Sequence, residues 1–369
     1  MLTSDAKELL ILGFLFISNA FLLCTLWYHG PFKRIPTCED IKLLDVQKVP
    51  PLEAYLVKPT FTPGLLPNLS QISWPAPYVA PSPNPNVIYR SKFFSPRMSI
   101  TQRGMMFKYI DLFASIMRKV NLEDKWFISS GTLLGSLRHH DFIPWDDEAD
   151  VLVDIKYRQI VQEGIKERLK DGYLVASSGY RDKLYMTILP EDMNDVDAEG
   201  SRRILMKNYG WPYLDICYYK IEDGHLIELE NYNLQHFAYP VGDIFPLIYR
   251  PFGDKWLPAP YRSVKMLVGM YPLNIDCIFN GYSHLAEWRR RHAIASCGAL
   301  ANRYAFVRRC PVQIPSAGGE QGELAFVVEQ MVTRTENGTY TIVHEIPTLV
   351  HFTERFSHFD PLAVNGSSV

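Results

Sequence analysis

Gly131-Thr132-Leu133-Leu134-Gly135-Ser136-Leu137-Arg138, followed after four residues by Ile143-Pro144-Trp145-Asp146-Asp147-Glu148-Ala149-Asp150-Val151, is the stretch that decides how this chain is read. Side chains of a strand alternate between its faces. If the acidic run is extended, Asp146, Glu148 and Asp150 share one face. Asp147, Ala149, Val151 and Val153 share the other, and the last three suit a core. Three carboxylates on one side repel unless a positive group sits among them. A hard divalent cation, Mg²⁺ or Mn²⁺, takes oxygen ligands and bridges to substrate phosphates, so Asp146, Glu148 and Asp150 are candidate metal ligands. The glycine- and serine-bearing turn upstream supplies the complementary half. Gly135 allows close backbone approach to a phosphate, and the N–H groups of Gly135 and Ser136 at a helix start can bind the anion. Arg138 can add a charge-assisted bond to the same group.

A third element fits. Trp211-Pro212-Tyr213-Leu214-Asp215-Ile216 places Asp215 inside an apolar strand. A carboxylate there is costly unless paired or metal-bound. Asp215 is a candidate to complete the metal site or to act as general base, with a hydrogen-bonded structural aspartate as the plain alternative. His139 and His140 read as solvated loop residues. Glu148 through Asp150 also satisfies a DxD-like pattern, which leaves a glycosyltransferase open, as it does a non-catalytic scaffold protein.

Around this stretch the pattern alternates between helix and strand. Phe107, Ile110, Phe113, Met117 and Val120 recur at helical spacing, which predicts an amphipathic helix over 101–120. Strands are expected at 126–128, 149–153, 184–189 and 213–219, and helices at 156–170 and 282–295. Arg289-Arg290-Arg291-His292 then falls on a solvated helix face. Two β-rich runs, 324–332 and 339–346, suggest a terminal hairpin. The fold class is α/β or α+β, a mixed sheet flanked by helices.

The 38 basic and 40 acidic residues nearly cancel, so no global field recruits nucleic acid. Leu9 to Tyr28 is almost wholly apolar and long enough to cross a bilayer; its bulky end, Leu26-Trp27-Tyr28, suits an interface better than a cleavage site. It reads as an uncleaved signal anchor. Eleven prolines between Val49 and Arg97 exclude helix and central sheet and predict an extended stem. The expected organisation is a tail (1–8), the membrane anchor (9–28), the stem (29–98), a catalytic domain (99–300) and a β-rich extension (301–369). Asn68, Asn337 and Asn365 begin glycosylation sequons. None of the six cysteines forms a CxxC pair, so a zinc site is not expected, and no disulfide connectivity follows from spacing.

The sequence from Gly131 to Val151, with Tyr213-Leu214-Asp215-Ile216, Asp243-Ile244-Phe245-Pro246-Leu247, Phe252-Gly253 and Leu257-Pro258, resembles the LicD family, which groups bacterial phosphorylcholine transferases with fukutin and fukutin-related protein. The resemblance covers roughly 104–278. It implies a nucleotidyltransferase-like fold, a CDP-alcohol donor, and transfer of a phosphoalcohol to a glycan or glycoprotein acceptor. It also implies a Golgi or endoplasmic reticulum membrane protein with a lumenal catalytic domain. By the same resemblance Gly135 and Ser136 touch donor phosphate, while Asp146, Glu148, Asp150 and Asp215 hold the metal. The chain departs from the family pattern at Glu148, usually aspartate, and at Met270-Tyr271-Pro272, usually a tyrosine-glycine pair.

Overall fold

A computed structural model describes residues 49–60, 64–230, 237–271, 276–289, 291–312, 324–335 and 339–354. The expected anchor at Leu9–Tyr28 and the sequons at Asn337 and Asn365 lie outside these residues. Among the described residues no helix is long and apolar enough to cross a membrane.

Ser99 starts the first long helix, α1 (Ile100–Lys119). Its hydroxyl accepts the Gln102 N–H, and the Gln102 side chain accepts the Ser99 N–H, so two otherwise orphaned donors are satisfied. Met106, Tyr109, Ile110, Phe113 and Met117 form its buried face; of the expected stripe Ile110, Phe113 and Met117 are buried, Phe107 is half-buried and Val120, just past the helix end, is exposed. The central sheet contains β1 (Trp126–Ile128), β2 (Ala149–Asp154), β3 (Tyr173–Ser178), β4 (Arg181–Met186) and β5 (Tyr213–Glu222), in the order β1-β2-β5-β4-β3. Within this row only β2 and β5 run parallel. β6 (His225–Glu228) and β7 (Ala238–Pro240) extend the sheet beyond the far half of β5, and β8 (Ile248–Phe252) and β9 (Lys255–Ala259) pair as a separate antiparallel hairpin. Helix α2 (Ser130–His139) joins β1 to β2, and α3 (Arg158–Lys166) follows β2. The mixed α/β class is as expected. α3 is docked by one buried carboxylate: Asp182 on β4 accepts from Arg158 at 2.7 Å, from Gln162 at 2.8 Å and from the Tyr218 hydroxyl at 2.7 Å.

The described part of the expected stem does not stand off from the domain. Tyr55, Val57, Leu69 and Phe94 are buried in the same core as the sheet. The Val57 N–H donates to Leu247, the Tyr55 hydroxyl to Pro347, and the Ala305 N–H to the Tyr78 hydroxyl. The expected exclusion of helix does not hold throughout: Leu52–Tyr55 and Pro85–Arg90 form short helices, the second with Pro85 in its first turn, where no backbone donor is needed, and proline does not forbid burial. The apolar side chains between the prolines bind this extended segment down as a strap.

The segment expected as a helix over 282–295 is β-structure instead. β10 (Asp276–Phe279) is followed by the short pair Tyr282–Ser283 and Trp288–Arg289, labelled β11 and β12, and β13 (Ala293–Ser296) returns to pair with β10. The Cys277–Cys297 disulfide joins the two ends of this excursion, with Cα atoms 5.0 Å apart. A helix over 282–295 would be about 20 Å long, whereas the pairing of β10 with β13 brings the two ends of the excursion side by side. Arg289 is therefore on an exposed strand rather than on a helix face.

Beyond it, β14 (Phe306–Pro311), β15 (Leu324–Arg334) and β16 (Tyr340–His351) form a three-stranded antiparallel sheet, so the expected hairpin gains a third strand. This sheet packs on the C-terminal end of α2 and buries both histidines that the sequence placed in solvent. His139 Nδ1 lies 2.9 Å from the Ala305 carbonyl, and His140 bonds His344 at 3.1 Å and Glu329 at 3.0 Å. Burial holds the pKa of His139 down to about 3. The sheet that covers these residues is remote in sequence, so local polarity alone misplaced them.

Candidate functional site

The parallel pairing of β2 with β5 puts Asp150 and Asp215 side by side, and the antiparallel pairing of β4 puts Lys183 next to Asp215. Aspartate, aspartate and lysine thus stand in one row across three strands on one face. Asp215 is fully buried. Its two oxygens accept from Lys183 Nζ at 2.6 Å and Arg181 at 2.8 Å. Both oxygens already face cations, which fits the structural part of the expectation for Asp215 and disfavours it as a proton acceptor. Glu148 comes in from the loop before β2, and ligand-type oxygens of Glu148, Asp150 and Asp215 lie within 4.8 Å of one another.

Asp146 and Glu148 precede the strand rather than lie on it, since β2 begins at Ala149. Their convergence comes from loop anchoring instead of strand alternation. The Asp146 N–H closes a turn on Ile143, Trp145 Nε1 donates to the Ile278 carbonyl at 3.0 Å, and Trp211 Nε1 donates to the Asp147 carbonyl at 2.5 Å. Asp147, assigned by alternation to the core-facing side, forms a second group with Asp146 and His284. His284 Nδ1 contacts Asp147 Oδ1 at 2.6 Å, and its Nε2 stands 2.8 Å from Glu148 Oε2. The second contact lies off the N–H direction, so it is an ion pair more than a directed hydrogen bond. Nothing in the primary sequence marked His284. It sits among ordinary loop residues, and only the return of the chain past Cys277 brings it here.

The glycine-rich segment acts differently from the expected anion turn. α2 already starts at Ser130, so Gly135 and Ser136 lie in its second turn. A β-carbon at Gly135 would stand 2.4 Å from the Asp141 carbonyl oxygen and 3.2 Å from the Ile143 nitrogen, so this glycine admits the descending backbone, not a phosphate. Ser136 is fully buried, donates to the Pro251 carbonyl at 2.9 Å and accepts from Arg250. The residues that reach the site are those at the start of the helix. Thr132 accepts the Asp150 N–H at 2.8 Å, and the Ser129 N–H donates to the Asp150 carbonyl at 3.2 Å, which docks the positive end of α2 against the acids. A β-carbon at Gly131 would meet Asp146 Oδ2 at 2.5 Å, so glycine leaves that carboxylate its place.

Two cavities meet at Glu148. The smaller, about 110 Å³, is lined by Gly131, Arg138, Trp145, Asp146 and Ile278 among others. The larger, about 620 Å³, includes Ser130, Asp150, Arg181, Lys183, Tyr213 and His284. Arg138 therefore faces the site as expected. Its guanidinium donates to the Asp276 carbonyl at 3.1 Å, and burial lowers its pKa to about 10, which leaves it cationic.

Protonation registers the crowding. Burial, then Glu148 and Asp147, raise the Asp146 pKa to about 7. Burial, then Glu148 and Asp215, raise that of Asp150 well above the carboxylate range. Burial pushes His284 down, but Glu148 and Asp147 overcome it and hold the imidazole well above its ordinary value. Asp150 Oδ2 is buried with no hydrogen-bond partner among the described residues. A buried carboxylate oxygen left unpaired costs free energy that a cation would recover. The donor set, all oxygen around Glu148 and Asp150, fits a hard divalent ion.

A mixed sheet thus carries Asp150 on β2 and Asp215 on the neighbouring parallel strand, with Asp146 and Glu148 on the loop before β2 and the start of α2 beside them. Residues 123–262 match the family described as LicD/FKTN/FKRP, nucleotidyltransferase domain, a stretch that runs from β1 through the strands that follow β7. No curated protein matches the chain. The matched stretch contains Asp146, Glu148, Asp150 and Asp215; His284 and the cleft wall around it lie beyond its end.

Proposed function

We propose that this protein is a metal-dependent phosphotransferase that moves a phosphoalcohol, phosphocholine or a polyol phosphate, from a CDP-linked donor to a glycan hydroxyl in the secretory pathway. The observation that carries the reading is the buried, unpaired Asp150 oxygen beside Glu148 at the junction of two cavities, next to the start of α2. Glu148 and Asp150, with Asp146 at hand, would hold a Mg²⁺ or Mn²⁺ ion. When bound, that ion would neutralise charge on the donor's pyrophosphate oxygens. The chain's own groups do the rest. The α2 N-terminus and Arg138 offer positive charge to a phosphate. Asp215 keeps Lys183 and Arg181 pointed into the larger cavity. Lys183 sits 3.6 Å above the ring of Tyr213, which fixes its ammonium at the wall of that cavity.

The lumenal placement draws support from two features. The Cys277–Cys297 disulfide suits an oxidising compartment. Asn68 is exposed, and its side-chain oxygen accepts both the N–H and the hydroxyl of Ser70, the third residue of its sequon.

A donor screen on the purified protein tests the reaction. CDP-alcohols are expected to release CMP in the presence of Mg²⁺ or Mn²⁺, and UDP-sugars to release no UDP. The reverse pattern would make the protein a glycosyltransferase, and silence with both classes would reject the enzymatic reading.

Metal binding should also appear in stability. Asp146 titrates at about 7 in the folded protein and near the ordinary carboxylate value when unfolded. The native state therefore holds a proton that the unfolded chain has lost, and the metal-free protein loses stability as pH rises from about 4 to about 7. A divalent ion must displace that proton, so it binds better at the upper end. At a hundredfold excess over Kd, the ion is expected to add about 2.7 kcal/mol near pH 8 and much less near pH 5. Equal thermal shifts at both pH values would remove Asp146 from the metal site.

A further inference from the structure

We propose that His284 is a positioning residue that holds the Glu148 carboxylate in place for the metal. The inference rests on the metal-dependent reading above and concerns a residue outside the matched family domain.

His284 is itself fixed from one side. Asp147 takes both its backbone N–H, at 3.1 Å, and its Nδ1, at 2.6 Å. Two attachments to one carboxylate fix the imidazole's rotation as well as its position. Asp147 is anchored in turn through its carbonyl to Trp211, which is fully buried. The ring of Tyr282 meets the imidazole edge to face at 4.7 Å. The remaining nitrogen, Nε2, is then presented to Glu148 at 2.8 Å.

Glu148 needs such a hold. It lies on the loop before β2, so no ladder fixes its backbone, and its side chain has one more rotatable bond than an aspartate. It also lines both cavities, so its placement sets what each can accept. A carboxylate has two oxygens. Glu148 can keep one on His284 and still turn the other to the Asp150 side. The sequence Trp211, Asp147, His284, Glu148 thus runs from the core to the site. Outer partners of this kind fix the direction in which a ligand offers its electrons.

The test is Mn²⁺ titration of the full chain, followed by electron paramagnetic resonance, on H284A, H284N and H284Q, with E148A as reference. The amide nitrogen of glutamine stands near the place of Nε2, whereas that of asparagine stands near Nδ1. H284A and H284N are expected to weaken Mn²⁺ binding by roughly 10–100-fold, and H284Q, which restores a donor near the place of Nε2 but not the charge, to recover part of that loss. In an E148D background, where the shorter arm cannot reach His284, H284A should have no further effect.

If E148A weakens binding but H284A and H284N do not, the positioning role is wrong and the metal site stands. If H284Q falls as far as H284A, the histidine serves packing around Asp147 rather than Glu148. If the unmodified protein binds no Mn²⁺, the metal reading fails and takes this inference with it. A melting curve of H284Q that matches the unmodified protein shows that the comparison is made on folded material.

Discussion

Asp150→Asn is expected to lower phosphotransfer by about 10³-fold or more while raising the stability of the metal-free protein. The two effects have one cause. Asp150 lies in register with Asp215, close to Glu148, and carries a buried oxygen that no described residue pairs. In the absence of a cation burial, and then Glu148 and Asp215, drive its pKa well above the usual range, which is another way of saying that its charge is unwelcome. An amide of the same shape keeps the Thr132 contact, because that contact goes to the backbone N–H. It relieves the metal-free fold of an ionisable group whose ionisation the native state suppresses and the unfolded chain does not, so the melting temperature should rise near neutral pH. What the amide cannot do is supply an anionic oxygen to a divalent ion. CMP release and thermal melting, measured on the same preparation, check both halves. Loss of activity with a lower melting temperature would mean that Asp150 holds the fold together rather than the metal.

Glu329→Ala should cost about 3–5 kcal/mol of stability, the largest single loss anticipated in this chain. Glu329 is fully buried on β15 and faces Arg250 at 2.9 Å, Arg309 at 2.7 Å and His140 at 3.0 Å. Burial opposes its charge, but the two guanidinium groups overcome that and hold its pKa well below the ordinary carboxylate value. Without the carboxylate, two arginines are left facing each other out of water. The same group ties the C-terminal sheet to α2, since Arg250 also donates to Ser136 and His140 ends that helix. A urea midpoint that falls by the corresponding amount at unchanged slope would confirm the estimate. A shift worth less than about 1 kcal/mol would show that the network adds specificity of docking and little stability.

Both predictions turn on contacts between segments far apart in the chain, and the same division separates what was legible in the sequence from what was not. β1, the span of α1 and the strand carrying Asp150 were readable, because each follows from a local period or a local turn signal. The convergence of Glu148, Asp150 and Asp215 was also readable. An acid within an apolar strand must be partnered, and the chemistry of that partner limits the choices.

Sequence alone determined the class of fold, the acidic cluster and the family resemblance. Tertiary structure decided the rest. Gly135 and Ser136 proved to serve packing because a helix that starts at Ser130 carries them past the cleft, and helix starts depend on what docks against them. His139 and His140 became core residues because a sheet more than 160 positions downstream covers them. His284 joined the acids only because β10 and β13 fold the chain back on itself, and no local pattern encodes where a returning strand will land. Local sequence fixes which backbone conformations are cheap. Which side chains then share a dry site depends on pairings between distant segments, and those are settled by the burial and electrostatics of the whole chain.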